Sequence, residues 1–317
     1  MAIASGGLAL AAPSSAVLAR AAGSACGAST QATVAAVDAA ATTDIYGNEL
    51  AGTEVSLDLA QIAGSAELLN AVAADSRSAT LTAVKHIVYH PSWHIVRLRV
   101  LNTYGQLLAD FGGPYVIAPV SGVLRSATGT VIGSFVMSVQ DDVGVTKLET
   151  RFVGDPIGIY LRGRRVAERG ASFPAAVPRG AGVTLGGVDY HPVIETYKAF
   201  PSGTLSAVIL VAPPPASLTA EPCATVRAQE FGRVAERLTN LLGPLAQHYS
   251  GYSTWVRIYT GAEVFVRSGA TQLASAGGTG PAVLPTSGTV SYQGTTWLVF
   301  SFQPLGSTRV YLLIPPS

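Results

Sequence analysis

Hydrophobic positions between Thr30 and Lys85 recur at steps of three and four residues, which is the period of an amphipathic helix. Gly and Ser residues interrupt the pattern, so we expect several helices rather than one. A further short helix is predicted to begin at Asp75 or Ser76. The positions that carry the period are Leu57, Leu59, Ile62, Leu68, Leu69 and Val72.

The period changes to two beyond this region. The segment "WHIVRLRVLNTYGQLLADFGG", residues 93–113, alternates on both sides of "NTYG", which predicts a hairpin with a Gly-containing turn. The segment "SGVLRSATGTVIGSFVMSV", residues 121–139, repeats the pattern around "SATGT". Two consecutive antiparallel hairpins are therefore expected.

The same order of elements returns twice. The segments "IGIYLRGRRVAERG" and "TWVRIYTGAEVFVRSG" each predict a short hairpin, and each is followed by a Gly-rich connection and three strands. A linker is predicted over 212–222, and an amphipathic helix from Ala224 to about His248 opens the last unit. We predict an α+β protein in which antiparallel sheets, preceded by long N-terminal helices, are repeated along the chain.

Three histidines mark the change from helix to strand in "HIVYHPSWHIVRLRV". His86, His90 and His94 would share one face of a continuous helix, as a metal site requires. Pro91 cannot donate a backbone hydrogen bond and disfavours the helical conformation at the preceding residue. We therefore predict that the helix ends near His90 and that His94 belongs to the next element. A metal-dependent hydrolase using His86 and His90 remains an alternative.

Composition restricts the classes of partner. The chain has 317 residues, of which 48% are hydrophobic, so it can bury a substantial core. A formal net charge of +1 leaves no basic excess for phosphates. We expect no nucleic-acid partner.

The N-terminal residues and the cysteines bear on the compartment. Residues 1–28 are rich in small and apolar side chains and resemble an export segment, although the usual basic start is missing. Cys26 and Cys223 each precede a predicted helix, and they are either joined by a disulfide or two free thiols. No uninterrupted apolar run is long enough to span a bilayer. We expect an extracytoplasmic protein, secreted or associated with the cell surface.

The motif Ala118-Pro119-Val120, followed by Gly129 and the strand 131–138, resembles the Cache family of extracytoplasmic sensor domains. The resemblance implies PAS-like sheets, with a double-Cache-like region of a helix and two PAS-like units over 30–213. A helix and a further PAS-like unit are expected over 222–317. The resemblance to the Cache family also implies a small-molecule pocket and a membrane signalling partner. Members that bind amino acids carry an Asp where this chain has Ser138, which argues against an amino-acid ligand.

Polar and aromatic side chains near the first two hairpins are candidates for binding a ligand. Arg97 and Arg99 share one strand face and suit an anionic ligand, or else pair with Asp110 or Glu149. A further alternative is that Asp141 or Asp142 caps a helix. The candidate ligand-binding residues are Trp93, Arg97, Arg99, Tyr115, Ser138, Gln140 and Asp141.

The chain contains no nucleophile elbow, no HExxH motif and no phosphate-binding loop. We therefore expect a protein that is not an enzyme and needs no cofactor. The favoured function is binding and sensing of a small molecule, without an output domain of its own. The alternative is a secreted interaction protein that binds a membrane partner.

Overall fold

The computed structural model describes residues 24–241 and 249–315, and the predicted export segment 1–28 lies almost entirely outside them. A short 3₁₀ turn, Gly27–Ser29, precedes the first helix. The α-helices are α1 (Thr30–Ala51), α2 (Thr53–Gly64), α3 (Ala66–Ala73), α4 (Arg77–Val88), α5 (Asp142–Phe152), α6 (Ala216–Thr219), α7 (Cys223–Leu241) and α8 (Tyr249–Thr260). Within the described part of the chain, no helix is long and apolar enough to cross a membrane.

N-cap serines and a proline set the ends of the N-terminal helices α3 and α4. The side chains of Ser65 and Ser76 each accept a backbone N–H bond of 3.4 Å at the start of α3 and α4. The predicted helix start at Ser76 is confirmed. α4 ends at Val88, just before His90, as expected from Pro91.

The first sheet contains both predicted hairpins. Its antiparallel strands have the order β2-β1-β5-β4, and a two-stranded ladder, β3-β6, lies beside them. β1 begins at Arg97, so His94 lies in the connection from α4 and not in the strand. The strands are β1 (Arg97–Asn102), β2 (Leu107–Gly112), β3 (Val116–Ile117), β4 (Val120–Arg125), β5 (Val131–Ser138) and β6 (Gln140–Asp141).

The second and third sheets share one strand order, β8-β7-β11-β10-β9 and β13-β12-β16-β15-β14. Counted within each unit, both orders are second, first, fifth, fourth, third. The mixed α+β class with antiparallel sheets is confirmed. The strands are β7 (Ile157–Leu161), β8 (Arg164–Arg169), β9 (Val183–Leu185), β10 (Val188–Lys198), β11 (Thr204–Val211), β12 (Glu263–Ser268), β13 (Thr271–Ala276), β14 (Ser287–Tyr292), β15 (Thr295–Leu305) and β16 (Thr308–Ile314).

The opening of the last unit differs from its prediction. The residues "TWVRIYT", expected in a hairpin strand, form the second half of α8. Tyr252, Val256 and Thr260 are buried at steps of four residues, because this face of the helix packs toward the third sheet. The amphipathic helix predicted from Ala224 to about His248 corresponds to α7 (Cys223–Leu241), and the rest of its predicted range lies outside the described residues.

Helix α1 lies at the centre of the packing. Val37, Ala41 and Ile45 pack with the inner face of the third sheet, whereas Val34 and Tyr46 pack with that of the second. The inner face of the first sheet packs on α2, α3 and α4 instead. One helix therefore contributes to two separate apolar clusters, one against the second sheet and one against the third.

The outer faces of the three sheets differ. On the second sheet, Tyr160 and Phe173 pack with the outward side chains of β11. On the third, Phe265 and Tyr292 pack with Leu284. These two outer faces are therefore covered by the protein's own side chains. The outer face of the first sheet carries polar residues instead.

Of the two alternatives for the cysteines, the structure has the disulfide. Cys26 and Cys223 are bonded across 197 residues of sequence, with Cα atoms 4.6 Å apart. The bond joins the turn before α1 to the first residue of α7. In the chain-entropy model a loop of this length contributes about 5 kcal/mol to stability.

Candidate functional site

A cleft of about 530 Å³ opens where the first sheet, α1, α5 and α8 meet. Two of the predicted ligand-binding residues, Trp93 and Gln140, line it. Its walls combine aromatic, amide and carboxylate side chains. The lining residues are Asn48, Glu49, Glu54, Trp93, His94, Ile95, Val96, Val139, Gln140, Leu148, Phe152 and Trp255.

Gln140 and Glu49 form the polar part of the cleft. The Gln140 amide donates to Glu49 Oε2 over 3.2 Å, and its oxygen accepts the Asp141 N–H over 3.1 Å. Gly144 leaves room for this side chain, because a Cβ there would lie 1.8 Å from Gln140 Oε1. Burial raises the pKa of Glu49, and the Gln140 hydrogen bond opposes that rise.

The mouth of the cleft is built by the connection between α4 and β1. His94 contacts the Glu54 carboxylate in the first turn of α2. The Trp93 ring stacks on His90 with the ring centroids 4.4 Å apart. Both contacts fix side chains of a segment that has no strand pairing of its own.

Arg97 and Arg99 take the alternative arrangement, an ion pair with Asp110. Arg97 binds this carboxylate through two hydrogen bonds, of 2.7 and 3.0 Å, and Arg99 adds a third of 3.3 Å. The Arg97 guanidinium also lies 4.9 Å from the Phe200 ring centroid and donates to the Gly113 carbonyl. The pair therefore links the hairpin to its neighbours and lies outside the cleft.

The remaining predicted binding residues also lie outside the cleft lining. Ser138 is fully buried, and its hydroxyl bonds the Ile117 carbonyl. Asp141 caps α5 by accepting the Gly144 N–H over 2.6 Å, as its alternative interpretation predicted. Tyr115 is 46% exposed, and its carbonyl accepts the Asp142 N–H over 2.9 Å.

The three histidines are held apart by separate partners. His86 contacts Glu67, His94 contacts Glu54, and His90 stacks on Trp93. Within the described ranges 24–241 and 249–315, no three His, Cys, Asp or Glu side chains are grouped closely enough to hold a metal ion. The hydrolase alternative therefore loses the histidine cluster on which it depended.

A second polar group, the α1–α7 joint, consists of Asp38, Asp155, Glu230 and Arg233. Arg233 donates to Asp38 Oδ1 over 2.8 Å, bonds Glu230, and donates to the Val153 carbonyl. Burial, together with the nearby Asp155 carboxyl, raises the pKa of Asp38 to about 8. Burial and Asp38 raise the pKa of Glu230 to about 7.

Glu149 is buried between the joint and the cleft. It accepts a hydrogen bond of 3.2 Å from the Tyr197 hydroxyl, and the Tyr197 ring stacks on Tyr46 with 3.9 Å between centroids. Burial raises the pKa of Glu149 well above its ordinary value. This carboxyl is therefore not the partner of Arg97 or Arg99.

Comparison of the chain with known protein families finds no matching family model, and comparison with curated proteins finds no match. Sequence reasoning missed the cleft residues Glu49, Phe152 and Trp255. In the α1–α7 joint, Asp38 carries a sequence signal, since it is a single carboxylate in the apolar stretch "VAAVDAAA".

Proposed function

We propose that the chain is an extracytoplasmic protein that binds and senses a small molecule in the cleft around Trp93 and Gln140. The observation that carries this proposal is the 530 Å³ space itself, which combines aromatic walls with a few polar groups. The disulfide Cys26–Cys223 supports an oxidising compartment. The strand order shared by the second and third sheets supports the finer proposal of repeated PAS-like units of Cache type.

The position of the cleft favours sensing over simple storage. Trp93 belongs to the first unit and Trp255 to α8 of the last, so a ligand between them bridges the two units. A ligand that binds one arrangement of these units more tightly increases the population of that arrangement. A membrane signalling partner that recognises this arrangement completes the proposal.

The test is thermal unfolding of the purified protein against a metabolite panel that contains organic acids, amines and neutral solutes. A ligand at 100 times its Kd stabilises the native state by about 2.7 kcal/mol. Trp93→Ala is expected to abolish the shift, whereas the control Tyr104→Ala, on the exposed turn of the first hairpin, keeps it. A panel without any shift, or a shift that survives Trp93→Ala, contradicts the proposal.

A further inference from the structure

The charged side chains that line the cleft are acidic. Glu49 and Glu54 contribute carboxylates, and the described part of the lining contains no Lys or Arg. His94, a further titratable residue of the described lining, contacts Glu54. The nearest pair of guanidiniums along the chain, Arg97 and Arg99, is bound to Asp110 on the sheet face. An anionic ligand would thus meet carboxylates without a compensating cation.

The aromatic side chains of the cleft also favour a positively charged ligand. Trp93, Phe152 and Trp255 lie on its walls, and Trp255 is 40% exposed. The face of an aromatic ring attracts a cation, most strongly for Trp, and several rings around one space bind quaternary ammonium groups. Two tryptophans and two carboxylates in one cleft therefore favour an organic cation.

A second space in the described part of the chain lacks this combination. A groove of about 430 Å³ between α1 and α7 is lined mainly by small and apolar side chains, with Arg227 as its charged residue. The carboxylates of the joint around Asp38 are already engaged by Arg233, which bonds both Asp38 and Glu230. The cleft thus offers the better-defined ligand chemistry.

We propose that the cleft binds an organic cation, an amine or quaternary ammonium group, between Trp93 and Trp255 with Glu49 as its counter-charge. This inference rests on the proposed function and narrows it to one ligand class. Glu49 lies beside the Gln140 amide, which fixes its carboxylate at 3.2 Å and orients it in the cleft. The Glu54 carboxylate, in contact with His94, adds negative potential at the mouth.

The experiment compares three probes of similar shape and different charge by tryptophan fluorescence and calorimetry. Choline carries a positive charge, 3,3-dimethylbutan-1-ol is its neutral isostere, and pivalate carries a negative charge. Choline is expected to bind about tenfold or more tightly than the alcohol, and pivalate more weakly still. Benzyltrimethylammonium serves as a larger cation for the same comparison.

Variants separate charge from shape. Glu49→Gln is expected to reduce choline affinity about tenfold and to leave the affinity for the alcohol unchanged. The matched control Glu67→Gln, on the exposed surface of α3, is expected to leave both unchanged. Equal loss of both probes in Glu49→Gln would show a structural role and overturn the assignment of the counter-charge.

The proposed function and the proposed ligand class can be refuted separately. If the alcohol, pivalate or another neutral or anionic member of the panel binds in the cleft as tightly as either cation, the ligand class is wrong and the proposed function stands. If neither the cations nor any panel compound binds, both fall. Binding of choline that Trp93→Ala leaves unchanged would place the cation elsewhere and overturn the inference.

Discussion

The α1–α7 joint predicts that the protein becomes less stable as the pH rises from about 6 to about 8. Asp38 is 1% exposed, and its pKa rises from 3.8 to about 8 in the folded protein. The native state therefore holds a proton that the unfolded chain has released. Because the native state binds more protons, the free energy of unfolding falls as pH rises through this window.

The magnitude follows from the two pKa values. For a single carboxyl with a folded pKa of about 8, the loss between pH 6 and pH 8 is about 2 kcal/mol. Glu230, with a pKa of about 7, acts in the same direction. The two groups share Arg233, so their contributions are not additive. A loss of about 2 kcal/mol lowers the Tm of a chain this size by roughly 3 °C.

The perturbation is Asp38→Asn, which keeps an acceptor for Arg233 and mimics the protonated carboxyl. Denaturant unfolding followed by circular dichroism, repeated at several pH values, is expected to show a flatter pH dependence than in the wild type. Asp189→Asn, at an exposed position on β10, should keep the wild-type slope. A wild-type stability that rises from pH 6 to pH 8, or an unchanged slope in Asp38→Asn, would refute the argument.

Three other predictions concern separate parts of the molecule. Changing Cys26 and Cys223 to Ser is expected to lower the free energy of unfolding by about 5 kcal/mol, measured in denaturant against the untreated wild type. Ser138→Ala should cost about 1–3 kcal/mol through the unsatisfied Ile117 carbonyl, with ligand affinity unchanged in calorimetry. Choline affinity should rise with pH as Glu49 ionises, since burial raises its pKa, and should stay constant in Glu49→Gln titrations.

Local chemistry made much of the fold predictable. The N-cap at Ser76, the helix end before Pro91 and the hairpin turn at "NTYG" each depend on a few adjacent residues. The N-cap role of Asp141 was one of two interpretations, and the structure selects it. Such features are set by short segments of sequence, so a single chain contains the information needed to predict them.

Helix α8 is an element for which the local sequence pattern gave the wrong secondary structure. Its residues "TWVRIYT" are β-branched and aromatic, which favours a strand on propensity alone. The competing signal, apolar residues at Tyr252 and Val256 four positions apart, has the helical period. Packing against the third sheet decides in favour of the helix, because tertiary contacts outweigh propensity.

The cleft could not be predicted, because it gathers residues from Asn48 to Trp255. Sequence reasoning placed the ligand over the strand that carries Arg97 and Arg99, where an unpaired guanidinium pair would suit an anion. Asp110, directly opposite Arg99 in the hairpin register, removes that possibility by binding both. The charge preference of the site therefore depends on which ion pairs form, and this follows from register rather than composition.

The packing explains why a binding site would lie between units instead of on a sheet. Aromatic and aliphatic side chains fill the outer faces of the second and third sheets, and opening either would expose their apolar surface. At the junction, α1 contributes Glu49 near its C-terminal end and Asp38 three turns earlier. The same helix thus borders both the cleft and the titrating joint. A ligand that shifts α1 therefore acts on the cleft and on the joint. If ligand binding changes proton binding at Asp38, then by linkage pH changes the affinity for the ligand by the same free energy.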